Sequence, residues 1–239
     1  MLVLALDSST RAGSLALASD GRLLDARAGD PDIRHAVRLP GDAIALLDAH
    51  GYTLADVDLL AVVIGPGGFT GLRVGLATIQ GLAMALERPV FAATSLELLG
   101  VAGAARRGGA PWVGAWMQGM RGEVFTALYA NDAGLLRAVV EPFVGTPEEA
   151  AATWGVARTG TIVVLGDAWP GAAAPLIDTY GARLHPVDAP LLATVLAGEA
   201  SRRAGEAVGP AALRPAYVRR PDAVLTRERA GLPVSGDIG

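Results

Sequence analysis

The sequence predicts an α/β fold in which one mixed-sheet plan occurs twice. The first half reads as a three-stranded antiparallel start that leads into strand–helix–strand units, and the second half echoes it at an offset of roughly 100–110 residues. The chain has 239 residues, 51% of them hydrophobic and 18% charged, so it can bury a sizeable core. We expect two mixed-sheet subdomains, residues 1–105 and 106–215, followed by an Arg/Pro-rich tail, residues 216–239.

Three short strands open the chain. Leu2–Leu6 is apolar throughout, and a polar turn follows it. Gly13–Ala18 and Arg22–Ala28 come next, with the dipeptide Asp20-Gly21 between them. Asp-Gly favours a two-residue hairpin turn, because both of its positions need a positive φ. We therefore expect an antiparallel hairpin after the first strand.

The next segment has the spacing of a helix. His35–His50 places Val37, Ile44 and Leu47 on one side. Pro40 lies early enough to mark the first turn or a kink.

A buried strand then leads into a second, longer helix. Leu59–Ile64 is apolar throughout, as expected of a parallel strand with both faces covered. It ends in a glycine-rich turn, and a helix follows over about Thr70–Glu87. Arg88-Pro89 ends that helix, and Val90–Ala93 reads as another short strand.

The second half repeats the plan more faintly. Trp112–Met117 and Glu123–Tyr129 read as paired strands around a polar break, and Thr161–Leu165 precedes Gly166 as Val62–Ile64 precedes its own glycine. Beyond Ser201 there are seven Arg against four acidic residues, with four Pro. That composition fits either a solvated tail or a basic arm for a protein or RNA partner.

Composition excludes several classes of function. The net charge of −4 argues against general affinity for phosphate backbones. All 20 basic residues are Arg, so chemistry that needs Lys is excluded, and the lack of Cys excludes disulfides and thiolate catalysis. We find no signal peptide and no uninterrupted apolar run of the roughly 20 residues that would cross a bilayer. We expect a soluble cytoplasmic protein without a membrane partner.

The most informative motif is GPGGFTGLRVGLATIQG, residues 65–81. Glycines before a helix can admit an anion, but this run lacks the Lys of a Walker A loop and follows the wrong strand for a dinucleotide fingerprint. The helix itself has one ridge of small residues, one face of larger apolar residues and little polar face. We expect such a helix to be covered on two sides, either within its own subunit or by a second chain.

The motifs resemble one family over nearly the whole chain. The run GPGGFTGLRVGLATIQGLA looks like the hallmark GPGSFTGLRxGxxxAxGLA of the TsaB (YeaZ) family. LALDSST, Arg34-His35 followed by Leu39-Pro40, the segment VFAATSLEL and Tyr217-Val218-Arg219 match further elements of that family. The resemblance implies a duplicated actin-like (ASKHA, RNase H-like) fold.

The resemblance also implies a function. TsaB is similar to TsaD, the subunit that transfers threonylcarbamoyl to adenosine 37 of tRNA, and is thought to pair with it through the N-terminal helices as a pseudoenzyme and scaffold. TsaE, an ATPase, joins the same assembly. We expect a TsaD-like partner, a homodimer when the chain is alone, contact with tRNA only through the complex, and no cofactor. From helix geometry we expect the partner interface to contain His35, Leu39, Arg73, Leu76, Ala77, Gln80 and Met84.

Residues for catalysis are missing. TsaD relatives hold a metal through two histidines four apart, and those positions fall here at Ser95 and Leu99, so we expect no metal site. Asp7, Gly67 and Gly68 are weak candidates for nucleotide binding, because in actin-like kinases an Asp after the first strand orients Mg²⁺–ATP; Asp7 fits equally an Asx turn. Gln118–Phe125 also lacks the Asp and the first Arg of the family's D-A-R-x-G-E-V-Y.

Two other functions stay open at this point. One is a free-standing actin-like ATP-binding kinase or a glycoprotease-like hydrolase, which would use Asp7 and the glycine-rich loop. The other is direct tRNA binding by the arginine-rich tail.

Overall fold

Two mixed sheets form the frame of the molecule. The computed structural model describes residues 1–106, 110–157 and 159–218. The first sheet has five strands, in the order β3-β2-β1-β4-β5. Their bounds are β1 (Leu2–Asp7), β2 (Ser14–Ser19), β3 (Arg22–Ala28), β4 (Leu59–Val63) and β5 (Val90–Ala93).

The second sheet repeats the plan of the first. Its strands are β6 (Trp112–Gln118), β7 (Val124–Asp132), β8 (Leu135–Gly145), β9 (Ile162–Leu165) and β10 (Leu184–Pro186). They lie in the order β10-β9-β6-β7-β8, with the first three strands of each half antiparallel and the last two parallel to the first. The predicted duplicated α/β fold is confirmed.

Six α-helices cover and separate the sheets in the described part of the chain. They are α1 (His35–Asp48), α2 (Phe69–Leu86), α3 (Ser95–Ala104), α4 (Pro147–Thr153), α5 (Ala174–Tyr180) and α6 (Leu192–Arg202). One core joins α1 and α2 to the first sheet, and another joins α4 and α5 to the second. The third core lies between the sheets and contains α3 and α6.

The two helices between the sheets, α3 and α6, each pack on the sheet of the other half. α3 follows the first sheet in sequence but packs on β6, β7 and β9 of the second. α6 follows the second sheet but packs on β1, β2 and β4, and the N–H of Ala193 donates to Ser14 Oγ across 3.1 Å. α6 thus lies within the predicted second subdomain in sequence but returns to the first sheet in space, and the predicted bounds 1–105 and 106–215 stay a prediction.

The C-terminal segment, residues 204–218, continues this return. Val208 forms an antiparallel bridge with Val90 at the edge of β5. Leu213 is buried in the core beneath α2, and the N–H of Ala216 donates to the carbonyl oxygen of Ile64 across 2.8 Å. Only the start of the predicted tail is thus described, and Arg219 of the Tyr217-Val218-Arg219 element lies outside the described residues.

α1 turns a different face to the core than the spacing of Val37, Ile44 and Leu47 indicates. Val37 is 74% exposed and Ile44 46% exposed. The buried apolar residues of the helix are Leu39, Ala43, Leu46 and Leu47. α1 contains two apolar stripes, and only one of them packs on the sheet.

α2 packs on the first sheet through its larger apolar face, as its sequence predicts. Leu72, Gly75, Leu76, Ile79 and Ala83 are buried. By length and composition alone, α2 is the one helix of the described residues that could cross a membrane, although the core helix of a globular protein passes the same test. The absence of a membrane partner stays a prediction.

Candidate functional site

α1 and α2 together expose a long apolar surface. Because β3, β4 and β5 run in one direction, the two helices that connect them run parallel to each other, and His35 at the start of α1 lies over Gly71 near the start of α2. We call the exposed surface of this pair the docking face. It contains Val37, Pro40, Gly41 and Ile44 of α1, and Ala77, Gly81, Met84 and Ala85 of α2.

The docking face differs in part from the predicted interface. Ala77 is exposed and Met84 is 70% exposed, as an interface contact in the free subunit should be. Leu39 and Leu76 are only 0% and 5% exposed and belong to the core of the first sheet, so their assignment to the interface is wrong. Val37 and Ile44, which the prediction omits, are the exposed apolar residues of α1. Their apolar character on a helix that already has a buried stripe was the available signal.

Two predicted interface residues are engaged by the C-terminal segment. Gln80 Nε2 donates to the carbonyl oxygen of Pro210 across 3.1 Å. Arg73 Nε donates to the hydroxyl of Tyr217 across 3.1 Å. α2 is therefore covered on two sides within its own subunit, by the sheet and by the segment, and its third side remains as the docking face.

The ring of His35 contacts the turn between β1 and β2 within its own subunit. Its Nε2 contacts the carbonyl oxygen of Thr10 at 3.0 Å, and its Nδ1 contacts Arg38 at 3.0 Å. The buried Arg38 also donates to the carbonyl oxygen of Ala12 and to Asp42. This pair ties the β1–β2 turn to the start of α1.

Asp7 is a buried carboxylate that organises the same turn. Its Oδ1 accepts the N–H of Ser9 across 2.8 Å and the Ser9 hydroxyl across 2.6 Å, which is the geometry of an Asx turn. Burial raises the pKa of Asp7; the hydrogen bonds from Ser9 and the charge of His35 oppose that rise, and Asp167 adds to it.

The glycine-rich loop closes on the chain's own backbone. The N–H of Gly68 donates to the carbonyl oxygen of Ser9 across 2.8 Å, and a Cβ added at Gly67 would lie 2.4 Å from that oxygen. The backbone of the loop lies so close to Ser9 that glycine is needed at Gly67, and this need does not depend on a bound phosphate. The weak assignment of Gly67 and Gly68 to nucleotide binding gains no support, because the Gly68 N–H already has a partner.

A cleft of about 360 Å³ lies between the two halves. Asp7 and Asp167 line it, together with small and apolar residues such as Gly13, Met117 and Leu191. Arg11 at the cleft is paired with Asp32 across 3.0 Å. Among the described residues that line the cleft, the charged groups are two carboxylates and the already paired Arg11, a combination that does not attract a polyphosphate. The cleft has the position of a ligand site between domains but not the charge of a nucleotide site.

Metal ligands do not assemble in the described residues. No group of three or more His, Cys, Asp or Glu lies close enough there to hold an ion. Ser95 is fully buried and its hydroxyl donates to the carbonyl oxygen of Pro66 across 2.6 Å, and Leu99 lies in the core. The two positions that correspond to metal-binding histidines are thus structural in this chain.

Comparison with known proteins identifies relatives over both halves. The family model described as TsaD, tRNA N6-adenosine threonylcarbamoyltransferase, matches residues 32–157. The tRNA threonylcarbamoyladenosine biosynthesis protein TsaB of Escherichia coli K12 is 36% identical over 132 residues, 55% of this chain and 56% of that protein. Its Bacillus subtilis counterpart is 31% identical over 140 residues, 59% of this chain and 60% of that protein.

The solved structure of YeaZ from Pseudomonas aeruginosa extends the likeness. It is 34% identical, has a TM-score of 0.68 and aligns with 90% of this chain and 99% of its own. The matches to the two curated TsaB proteins span little more than half of their length. The match to YeaZ covers nearly the whole of both chains, and the two TsaB proteins agree with it: this chain belongs to the TsaB (YeaZ) family.

Proposed function

We propose that this chain is a non-catalytic subunit that binds a TsaD-like catalytic subunit through the docking face. In this role it supports formation of N6-threonylcarbamoyladenosine at position 37 of tRNA in the cytoplasm. The observation that carries the proposal is the exposed apolar surface of α1 and α2, with Val37 at 74% and Met84 at 70% exposure. Covering such a surface stabilises a complex by about 25 cal/mol per Å² of apolar area buried.

The small residues of the docking face favour a helical partner. Gly41 and Gly81 have no atom within 4 Å of an added Cβ, so both are open to solvent in this subunit. Glycine on an exposed helix position costs about 1 kcal/mol relative to Ala, and close approach of a second helix gives a reason for that cost. The names of the relatives place the family in threonylcarbamoyladenosine biosynthesis, where a TsaD-like subunit is the natural partner.

The same surface supports the other proposed assemblies. Without a TsaD-like subunit, a second copy of the chain covers the docking face and gives a homodimer. A TsaE-like ATPase joins the larger complex, and tRNA is reached only through that complex. The chain needs no cofactor for this role, and the Gly68 N–H of the glycine-rich loop bonds to Ser9 of the chain itself.

Light scattering on the chain, alone and mixed with the TsaD-like subunit of the same organism, tests the proposal. Ala77→Arg places a charge on the docking face, whereas Leu76→Arg would disrupt the core and is unsuitable. Ala152→Arg, at an exposed position of α4, is the matched control. We expect a mixed complex with the wild type and Ala152→Arg, and none with Ala77→Arg.

Two results would overturn the proposal. One is the absence of any complex when both wild-type proteins are folded and nucleotide is present. The other is ATP turnover or hydrolase activity of the isolated chain that falls in Asp7→Ala, which would favour the free-standing enzyme.

A further inference from the structure

Three exposed side chains form a cluster at the N-terminal end of α2. The rings of Phe69 and Tyr217 stack with their centroids 5.7 Å apart. The guanidinium carbon of Arg73 lies 3.9 Å from the centroid of the Phe69 ring, and Arg73 Nε donates to the Tyr217 hydroxyl across 3.1 Å. Phe69 is 44% and Tyr217 42% exposed. Large aromatic residues are seldom left this exposed beside each other without a partner.

The cluster fixes the guanidinium but leaves its outer nitrogens unused. Within the described ranges, Arg73 has no hydrogen bond other than the one from Nε and no ion pair. Stacking on Phe69 and the bond to Tyr217 restrict the side chain before any partner arrives, so less conformational entropy is lost on binding. Arg73 therefore presents two pre-oriented terminal NH2 groups to solvent.

The local electrostatics favour an anion at these groups. α2 has no acidic residue in its first turn, and its N-cap Gly68 provides no side-chain acceptor. Arg73 adds a positive charge close to the positive end of the helix dipole, which is unfavourable unless an anion balances it. The cluster is therefore incomplete in the free subunit.

Arg73 borders the docking face at the N-terminal end of α2, next to the C-terminal segment. Arg73, Ala77, Gly81 and Met84 follow one another at intervals of four, four and three residues, so they form one stripe along α2, and all four are exposed. A partner that covers the apolar part of this stripe also reaches Arg73.

We propose that Arg73 binds a carboxylate of the TsaD-like partner subunit through its two terminal nitrogens, with Phe69 and Tyr217 as positioning residues. The inference rests on the proposed function and names the polar anchor of that interface. Paired Arg–carboxylate hydrogen bonds are strong and directional, and Arg and Tyr are common where a few residues dominate an interface. A net charge of −4 and the small apolar neighbours along the stripe favour a protein carboxylate over an RNA phosphate.

The test measures the affinity of the full chain for the TsaD-like subunit at low and high ionic strength. Arg73→Gln removes the charge and keeps part of the aliphatic side chain. Arg73→Lys keeps the charge but lacks the paired terminal nitrogens of the guanidinium. Tyr217→Phe removes only the hydroxyl. Arg137→Gln, at an exposed position of β8, is the matched control. Thermal unfolding of every variant confirms that the fold is intact.

We expect Arg73→Gln to raise the Kd about 10-fold or more at low salt and to reduce the salt dependence of the Kd. Arg73→Lys should lie between Gln and the wild type, and Tyr217→Phe should raise the Kd a few-fold at unchanged thermal stability. Arg137→Gln should match the wild type.

The outcomes separate this inference from the proposed function. If the wild-type proteins do not associate, the proposed function fails. If they associate and Arg73→Gln binds with unchanged Kd and unchanged salt dependence, only the carboxylate site fails. If Arg73→Gln leaves the protein complex intact but weakens its binding to tRNA, an RNA phosphate is the ligand of Arg73 and the proposal is overturned.

Discussion

The N–H of Gly68 donates to the carbonyl oxygen of Ser9, and this bond joins the glycine-rich loop to the turn after β1. In the sequence these segments lie almost 60 residues apart, and glycines before a helix, as in the second segment, can admit an anion. In the structure each uses the other as its partner. The loop therefore packs against this turn, and we expect substitutions there to lower the free energy of unfolding.

Gly67→Ala should destabilise the chain. Its Cβ would lie 2.4 Å from the Ser9 carbonyl oxygen and 2.7 Å from the Ser9 Cβ, so the turn must shift. We expect a loss of about 1–3 kcal/mol in the free energy of unfolding, measured by urea denaturation. Gly68→Ala is the control, because its nearest contact is an ordinary 3.7 Å. Equal losses in both variants would contradict the contact as the cause.

Two other glycines of α2 should respond in opposite directions to Ala. At Gly75 a Cβ would meet Ser8 Oγ at 2.0 Å inside the core, so Gly75→Ala should lower the thermal unfolding temperature. At Gly81 no atom lies within 4 Å, so Gly81→Ala should raise the free energy of unfolding by about 0.5–1 kcal/mol through helix propensity. A fall in stability for Gly81→Ala would show that the position is packed in the free chain.

Asp7→Asn should stabilise the chain at neutral pH. Burial raises the pKa of Asp7 above its ordinary value of 3.8. The contribution of this group to stability is therefore fully present below that value and is lost as pH rises through the folded-state pKa. Asn keeps the oxygen that accepts from Ser9 and carries no charge. When the free energy of unfolding is measured from acid to neutral pH, the value for Asp7→Asn should rise relative to that of the wild type as pH increases. A wild type that is the more stable at neutral pH would contradict a net cost of the buried charge.

Arg203→Met should lower the free energy of unfolding, because it removes the ion pairs at the C-terminal end of α6. Arg203 forms ion pairs with Glu97 across 2.8 Å and with Glu206 across 2.7 Å. The hydrogen bond from Arg203 holds the pKa of Glu206 below its ordinary value. The contribution of Glu206 is therefore present above its unfolded pKa and is lost as pH falls. Because Arg203 is about a third exposed, we expect a loss of only about 1 kcal/mol, smaller at high salt, by urea denaturation. Arg137→Met is the control; an equal effect there would remove the network as the explanation.

The first half of the fold could be predicted closely because its signals are local. Asp20 and Gly21 both have positive φ, at 50° and 77°, as the hairpin prediction required. Leu59–Val63 is a strand paired with β1 and β5, as its uninterrupted apolar run indicates. Strand pairing within a hairpin and burial of an apolar run depend on neighbouring residues, so the sequence carries them directly.

The candidate site could be predicted only in part. Ala77 and Met84 are exposed on α2 as expected, whereas Leu39 and Leu76 are buried. Periodicity identifies the stripes of a helix but does not say which stripe faces the sheet when both are apolar.

The sequence by itself determined the duplicated strand plan, the glycine-rich junction before α2 and the family of the chain. Only the tertiary structure decided that α3 and α6 exchange sheets and that the C-terminal segment covers one side of α2. Gln80 and Pro210 are 130 residues apart, and Arg73 and Tyr217 are 144 apart. Contacts over such distances leave no periodic or compositional mark in the chain, because they depend on where the intervening sheet places both partners.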